Sequence, residues 1–335
     1  MGNPVVLILT QDFDPTVDPV VLSLKERDAR VVRVDLSYFP QRLTITSSDF
    51  GGERRLLKHR GREVDIDALC GVWYRRPTAF EFAAAMSDAE REFARREAVH
   101  GVGGMLRATE CLWINRPDLD AVGELKPYQL SLAKRLGLRV PRTLLTNDPD
   151  EVSALLARVD EPVVYKGLTG GVLHYPGAWP SGLLTSLVGD ELVEHVERVR
   201  HTVCMFQEYV DKAYEVRLTV IGNTYYPVVV DSQTSDKTKV DWRGDPEGMS
   251  YGDYRPLPDD VVQKVQSMLD ELGIVYAAVD FIVTPEGDHV FLEVNPGGQF
   301  IWMQHDLGLP LGDGIADLLV AGGPFRRGAV TQVGY

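Results

Sequence analysis

FLEVNPGGQF, residues 291–300, is the stretch whose reading decides the fold of this chain. A run of Phe, Leu and Val places Glu293 and Asn295 on one face and then stops in Pro296-Gly297-Gly298. Before it, VYAAVDFIV (275–283) reads as a partner strand, joined through TPEGD, where Gly287 is available for a positive φ. With the turn centred between Glu286 and Gly287, Asp280 falls directly opposite Glu293. Period-two alternation then gives Asp280, Glu293 and Asn295 one face, and Val279, Phe281, Val283, Leu292 and Val294 the other. Two carboxylates opposed across an antiparallel pair repel each other, so the arrangement asks for positive charge between them. Carboxylate and amide oxygens are hard ligands suited to Mg²⁺, which completes its shell from water and substrate phosphates. The glycines after Asn295 let backbone approach whatever such a metal carries.

Working outward, 335 residues exceed what one hydrophobic core usually serves and predict two or three subdomains. The boundaries expected are 1–120, 121–204 and 205–327. A net charge of −14 opposes a phosphodiester backbone and argues against nucleic-acid binding. The basic cluster ERRLLKHRGRE (53–63) is interleaved with acids and reads as a solvated hairpin. No apolar run is long enough for a membrane span, and MGNPVVLILTQDFD lacks secretory features, so a cytoplasmic protein is expected. Cys70, Cys111 and Cys204 are scattered, without CxxC or zinc spacing, and read as reduced thiols.

The chain opens as a βαβ unit: VVLIL (5–9), the amphipathic DPVVLSLKERD, and VVRVDL (31–36). GVWYRRP (71–77) is another strand, and a long helix begins at Ser87. The glycines of HGVGG (100–104) follow a helical pattern instead of a strand, which favours close helix packing over a dinucleotide loop. LKPYQLSLAKRLGL reads as a helix with Pro127 in its first turn, and Lys126 beside it reads by itself as a surface residue. Lys166 ends an apolar strand and enters GLTGG, where Gly170 and Gly171 expose backbone N–H groups to an anion. CMFQEYV carries Gln207, Glu208, Tyr209 and Val210, with Glu215 and Arg217 two apart on the next strand. An adenine edge needs backbone donors and acceptors, and a ribose needs a carboxylate, which this segment can supply. Arg217, Lys237, Lys239 and Arg243 offer cations for phosphate charge.

Taken in order, Lys126, Lys166 with GLTGG, FQEYV, Glu215, Arg217, VDF with Asp280, and FLEVN with Glu293 and Asn295 resemble the ATP-grasp superfamily of carboxylate-amine ligases. Within it, VWYRRP, KGLTGG, VDWR and EVNPGGQ look like the maturases of ribosomal peptides, the microviridin or graspetide enzymes. Ribosomal-protein glutamate ligases share the later motifs, but Asn295-Pro296-Gly297-Gly298 departs from their Asn-Ser-Ser-Pro-Gly. The resemblance implies an α/β ATP-grasp fold with a parallel-sheet N-terminal domain and two α+β subdomains clamping ATP. It implies that Lys126 and Lys166 meet phosphates, that Glu208 to Val210 meet adenine and Glu215 ribose. It further implies that Asp280, Glu293 and Asn295 hold two Mg²⁺, with Arg217 and Arg243 by the γ-phosphate and the acceptor carboxylate. The implied activity is ATP-dependent crosslinking of Asp or Glu side chains to Ser, Thr or Lys in a precursor peptide that carries a leader segment; a homodimer is implied as well. Two alternatives stay open: a ligase of the same fold that adds glutamate or joins amino acids, and an idle nucleotide-binding or peptide-carrier protein.

Overall fold

The computed structural model describes residues 2–170, 172–173, 181–245, 248 and 250–334. The N-terminal part contains β1 (Val5–Thr10), α1 (Asp18–Glu26), β2 (Arg30–Val34), β3 (Leu43–Ser48), β4 (Arg54–His59), β5 (Arg62–Asp65), β6 (Leu69–Arg76), α2 (Asp88–Arg107), β7 (Leu112–Ile114) and α3 (Pro117–Gly123). Four of these strands form a parallel sheet in the order β2-β1-β6-β7, and β3-β4-β5 form a separate antiparallel sheet. β1 is apolar from Val5 to Leu9 because both its faces are covered. Val6 and Ile8 enter one cluster with Val20 and Leu24 of α1, while Leu7 and Leu9 enter another with Val102 and Leu106 of α2. α2 starts in a capping box, with Glu90 N–H donating to Ser87 Oγ and Ser87 N–H to the Glu90 carboxylate. Its glycines correct the sequence reading: a Cβ at Gly101, Gly103 or Gly104 would meet no atom within 4 Å, so they mark no close helix contact.

The central part runs through α4 (Lys126–Arg135), β8 (Thr143–Thr146), α5 (Pro149–Arg158), β9 (Val163–Lys166), the paired β10 (Val172–Leu173) and β11 (Ser181–Gly182), β12 (Ser186–Leu187), α6 (Asp190–Glu194) and β13 (Cys204–Glu208). Its antiparallel sheet has the order β12-β9-β13-β8, so the hinge strand β13 belongs with this sheet and carries it past residue 204. Val152 of α5 packs with Val163 and Phe206 on one face of that sheet. The other face sends Met205 into the core of the C-terminal part and carries Lys166 at the cleft between the two sheets.

The C-terminal part comprises β14 (Tyr214–Ile221), β15 (Thr224–Asp231), β16 (Ser250–Tyr254), α7 (Asp259–Leu272), β17 (Tyr276–Val283), β18 (His289–Asn295), α8 (Ile301–Leu307), α9 (Leu311–Ala321) and β19 (Thr331–Gln332). Its sheet is β16-β15-β14-β17-β18, antiparallel along that path, with β19 added parallel to β15. Val261, Val265, Met268, Leu269 and Leu272 of α7 bury against Leu218, Val279 and Phe281, and the helix stops at Gly273 with φ 68°. α9 bridges two units: Ile315 and Leu319 pack with Ile8 and Trp73 of the N-terminal sheet and with Ile221 and Tyr226 of the C-terminal sheet, and a Cβ on Gly71 would run into the Leu319 carbonyl. Residues 311–321 thus belong to a core shared by the N-terminal and C-terminal sheets.

The decisive hairpin pairs Asp280 with Glu293, as the turn arithmetic predicts, but by another route. Nearer the turn the register is one residue off, with Phe281 opposite Phe291 and Val283 opposite His289. A bulge between Asp280 and Phe281 takes up the extra residue. One assignment is overturned in consequence. Phe291, not Leu292, joins Val279, Phe281 and Val294 in the core, while Leu292 packs with Val210, Ile282 and Val290 on the cleft side.

Candidate active site

The register between β14 and β17 places Arg217 directly opposite Asp280, which itself faces Glu293 on β18. Arg217, Asp280 and Glu293 therefore form one row across three strands, on the face turned to the cleft. Arg217 Nη1 donates to both oxygens of Asp280, at 2.9 and 2.7 Å. Asn295 Nδ2 donates to Asp280 Oδ2 at 2.9 Å and to Glu293 Oε1 at 3.3 Å.

Two lysines from other elements converge on the far acid. Lys126 Nζ lies 3.0 Å and Lys166 Nζ 2.9 Å from the same Glu293 Oε2, with all three side chains nearly closed to solvent. Lys126 reaches it because α4 is pinned to the hairpin edge. Gln129, one turn further along and 1% exposed, donates from Nε2 to the Val294 carbonyl and accepts the Val294 N–H, each at 2.8 Å. A side-chain amide thus replaces a neighbouring strand beside Glu293. Lys166 stands at the end of β9 and crosses from the central sheet. Three cations face two carboxylates, so the opposed acids are already compensated by side chains of the protein. The alternation asks for positive charge between these acids and offers Mg²⁺ as its source; the protein itself supplies that charge through Lys126, Lys166 and Arg217.

The electrostatics follow from burial and pairing. Burial pushes the Glu293 carboxyl up, but Lys166 and Lys126 outweigh it and hold the group well below the usual carboxylate range. Asp280 is pushed up by burial, with Arg217 pulling it only part of the way back. Burial works against the Arg217 charge, and Asp280 more than restores it. Arg243 is bound by Asp241, which accepts its Nε at 2.8 Å and Nη2 at 2.6 Å and holds the guanidinium strongly protonated. Asp241 also accepts the Thr185 N–H at 2.9 Å, tying the loop that carries Arg243 to the central part.

The hinge residues are partly spent on structure. The Gln207 amide donates to Thr143 Oγ1 at 3.0 Å, and the Glu208 carboxylate is held by the Arg142 backbone N–H at 3.0 Å and by its guanidinium. The N–H groups of Glu208 and Tyr209 donate to the carbonyls of Arg142 and Pro162. Val210 is buried beside Leu292, at the cleft end of this strand. Glu215 is pushed up by burial against the pull of Lys212, whose Nζ lies 2.8 Å from it and 3.1 Å from the Val240 carbonyl. Lys212 escaped sequence reading; its only signal was a spacing of three from Glu215. Gly170 is exposed at the loop after β9, and Gly171 lies outside the described residues. Lys237 and Lys239 pair at the surface with Asp245 and Asp236, apart from the row of charges.

The donor set suits Mg²⁺. Asp280, Glu293 and Asn295 offer carboxylate and amide oxygens, and no group of three or more His, Cys, Asp or Glu side chains forms a metal cage among the described residues. The remaining oxygens would come from phosphate and water.

An antiparallel sheet that presents a lysine, facing a second sheet that presents opposed acids and an amide, with a parallel-sheet domain in front, defines an ATP-grasp protein. Residues 5–120 match the MvdD pre-ATP grasp domain. A RiPP-associated ATP-grasp ligase from Chryseobacterium gregarium, solved with ADP and with a leader and core peptide, superposes with a TM-score of 0.85 at 25% identity, covering 95% of this chain and 97% of that one. The macrocyclase MdnB from Microcystis aeruginosa MRC gives 0.76 at 29% identity, covering 95% and 99%. The alpha-aminoadipate–LysW ligase LysX of Sulfurisphaera tokodaii is 24% identical over 179 residues, 51% of this chain and 59% of its own length. The chain thus spans about three fifths of that curated relative. The chain has the ATP-grasp fold, with a pre-ATP-grasp domain of the MvdD type over residues 5–120, and is similar along its length to RiPP-associated ligases of that superfamily.

Proposed function

We propose that the protein is an ATP-dependent macrocyclase of a ribosomally made precursor peptide. It phosphorylates an Asp or Glu side chain of that peptide and joins it to a Ser or Thr hydroxyl or a Lys amine. The observation that carries this reading is the convergence of Lys126 and Lys166 on Glu293, within the row that Asp280 and Arg217 complete. Lysines in this position exchange a carboxylate for phosphate oxygens when nucleotide enters, and in doing so release Glu293 as an oxygen ligand. Bound at Asp280, Glu293 and Asn295, Mg²⁺, in two ions on this reading, neutralises charge on the transferred phosphoryl group.

The peptide carboxylate takes the γ-phosphoryl of ATP, giving an acyl phosphate and ADP. The hydroxyl or amine then attacks the acyl carbon, its proton leaves, and inorganic phosphate departs, so each crosslink removes one water from the peptide. Arg217 and Arg243 stabilise charge on the phosphoryl group and orient the acceptor carboxylate. The closed cleft holds the acyl phosphate beside its nucleophile and away from solvent. Glu208 to Val210 border the adenine, and Glu215, oriented by Lys212, meets the ribose. Gly170 and Gly171 cover the phosphates.

A leader segment docks on the central or C-terminal part, the protein works as a homodimer, and it resides in the cytoplasm. Among the described residues no helix is long and apolar enough to cross a membrane. The test is direct: enzyme, ATP, Mg²⁺ and the small acidic peptide encoded beside its gene are incubated and weighed by mass spectrometry. Peptide mass falling in units of water supports the reading. A mass gain points to addition of an amino acid, and nucleotide binding without turnover points to a carrier.

A further inference from the structure

In a parallel sheet of order β2-β1-β6-β7 the chain leaves β1 toward one side, and β6 lies on the other, so a crevice opens beyond the carboxyl ends of β1 and β6. Such crevices commonly take ligands. Here the Pro296-Gly297-Gly298-Gln299 turn of the same chain fills it. Arg75, at the end of β6 with its side chain 2% exposed, donates from Nη1 to the Gly297 carbonyl at 2.5 Å and from Nη2 to Gln299 Oε1 at 2.6 Å. Arg76 Nη2 adds a second bond to the Gly297 carbonyl at 3.2 Å, and Thr16 Oγ1 donates to Gln299 Oε1 at 2.7 Å. Behind Arg75 sits Asp14, 3.8 Å from Nε and fixed by Thr10.

Asn115, just past β7, donates to the carbonyls of Tyr276 and Pro296 and accepts the N–H groups of Val275 and Tyr276. Tyr276 Oη donates to the Gly298 carbonyl at 2.7 Å. The three carbonyls of Pro296, Gly297 and Gly298 are therefore all taken from one side. This turn begins at the residue after Asn295, and its Gly298 has no room for a side chain because Ala278 Cβ and Arg217 Nη2 occupy that space. Whatever fixes the turn fixes Asn295, two residues from Glu293, and the wall beside Arg217.

We infer that Arg75 is a positioning residue: the N-terminal domain acts through it to hold Asn295 and Glu293 in their metal-binding arrangement. The inference rests on the reading of that cluster as a Mg²⁺–nucleotide site. Arg75 bonds to none of Asp280, Glu293 and Asn295, so it acts on them only through the turn it holds. Lysine keeps the charge but has no planar fork to reach both Gly297 O and Gln299 Oε1.

The experiment compares ADP affinity of the full chain with Mg²⁺ and with EDTA, for wild type, Arg75→Lys and Gln299→Leu, alongside thermal melts. Wild type should bind ADP more tightly with Mg²⁺. In Arg75→Lys the metal-free affinity should be unchanged and the tightening by Mg²⁺ should shrink about tenfold or more, the scale seen when outer-shell partners of a metal site are lost. Gln299→Leu should shift the same quantity in the same direction by less, and it serves if Arg75→Lys does not fold. Equal Mg²⁺ effects in a folded variant and wild type overturn the inference while leaving the nucleotide reading intact. So does a loss confined to metal-free affinity. A wild type whose ADP affinity ignores Mg²⁺ overturns both.

Discussion

Lys166 Nζ and Glu293 Oε2 stand 2.9 Å apart, an ion pair that reaches across the cleft from the central sheet to the C-terminal sheet. With Lys126 on the same oxygen, Glu293 is the point at which α4, β9 and β18 meet electrostatically. Glu293→Gln keeps the shape and removes the charge, leaving two closely spaced ammonium groups without their counterion. Crosslinking should fall about 100-fold or more. The nucleotide-free protein should lose about 1–3 kcal/mol, read by denaturant titration. The same pairing sets a pH dependence. Because the folded carboxyl lies below its unfolded range, its contribution is fully present above the unfolded pKa and disappears only as strong acid takes pH through the folded value.

Gln129 should matter to stability more than its polar character suggests. Gln129→Leu leaves the N–H and C=O of Val294 without their side-chain partner in a buried position. A loss of about 2–4 kcal/mol is expected, together with weaker nucleotide binding, because α4 carries Lys126. Urea denaturation and ADP titration of the same variant measure both.

Gly298→Ala should be costly despite adding a single carbon. Its Cβ would collide with that of Ala278 and approach Arg217 Nη2. Overpacking of this kind costs about 1–3 kcal/mol, and the displaced Arg217 should lower turnover more than ADP affinity. Melting curves and steady-state kinetics on one preparation separate these effects.

Asp120 predicts a titration outside the row of charges. Burial drives its carboxyl up to about 7, with Glu124 and Asp118 adding, while Asn115 and Arg75 oppose. A folded pKa above the unfolded value means that folding takes up a proton between about pH 4 and 7. Stability from this group is thus lost as pH rises through that window. Asp120→Asn should stabilise the protein at pH 8 and change little at pH 4, as denaturant midpoints at the two pH values would show.

The hairpin was legible because both of its strands and its turn lie within one short stretch, and alternation specifies its faces. Its register came out right at Asp280 and Glu293 even though the turn is offset, because a bulge restores the pairing. A bulge has no clear sequence signature here, so Leu292 and Phe291 were exchanged. Arg217 opposite Asp280 depends on pairing between strands some sixty residues apart, which no local pattern fixes. Gln129, Arg75 and Asn115 act through backbone atoms of distant segments. Their own neighbourhoods read as an ordinary helix face, strand end and turn. The packing of α9 between two sheets is hidden for a similar reason, since an apolar helix does not announce which sheet it will cover.

One exchange of partners underlies the proposed activity: Lys126 and Lys166 leave Glu293 for phosphate oxygens. A crystal structure with Mg²⁺ and ADP measures it directly. Both ammonium groups should lie on phosphate oxygens, with Glu293, Asp280 and the Asn295 side-chain oxygen turned to metal. Nucleotide bound elsewhere, with both lysines still on Glu293, would contradict it.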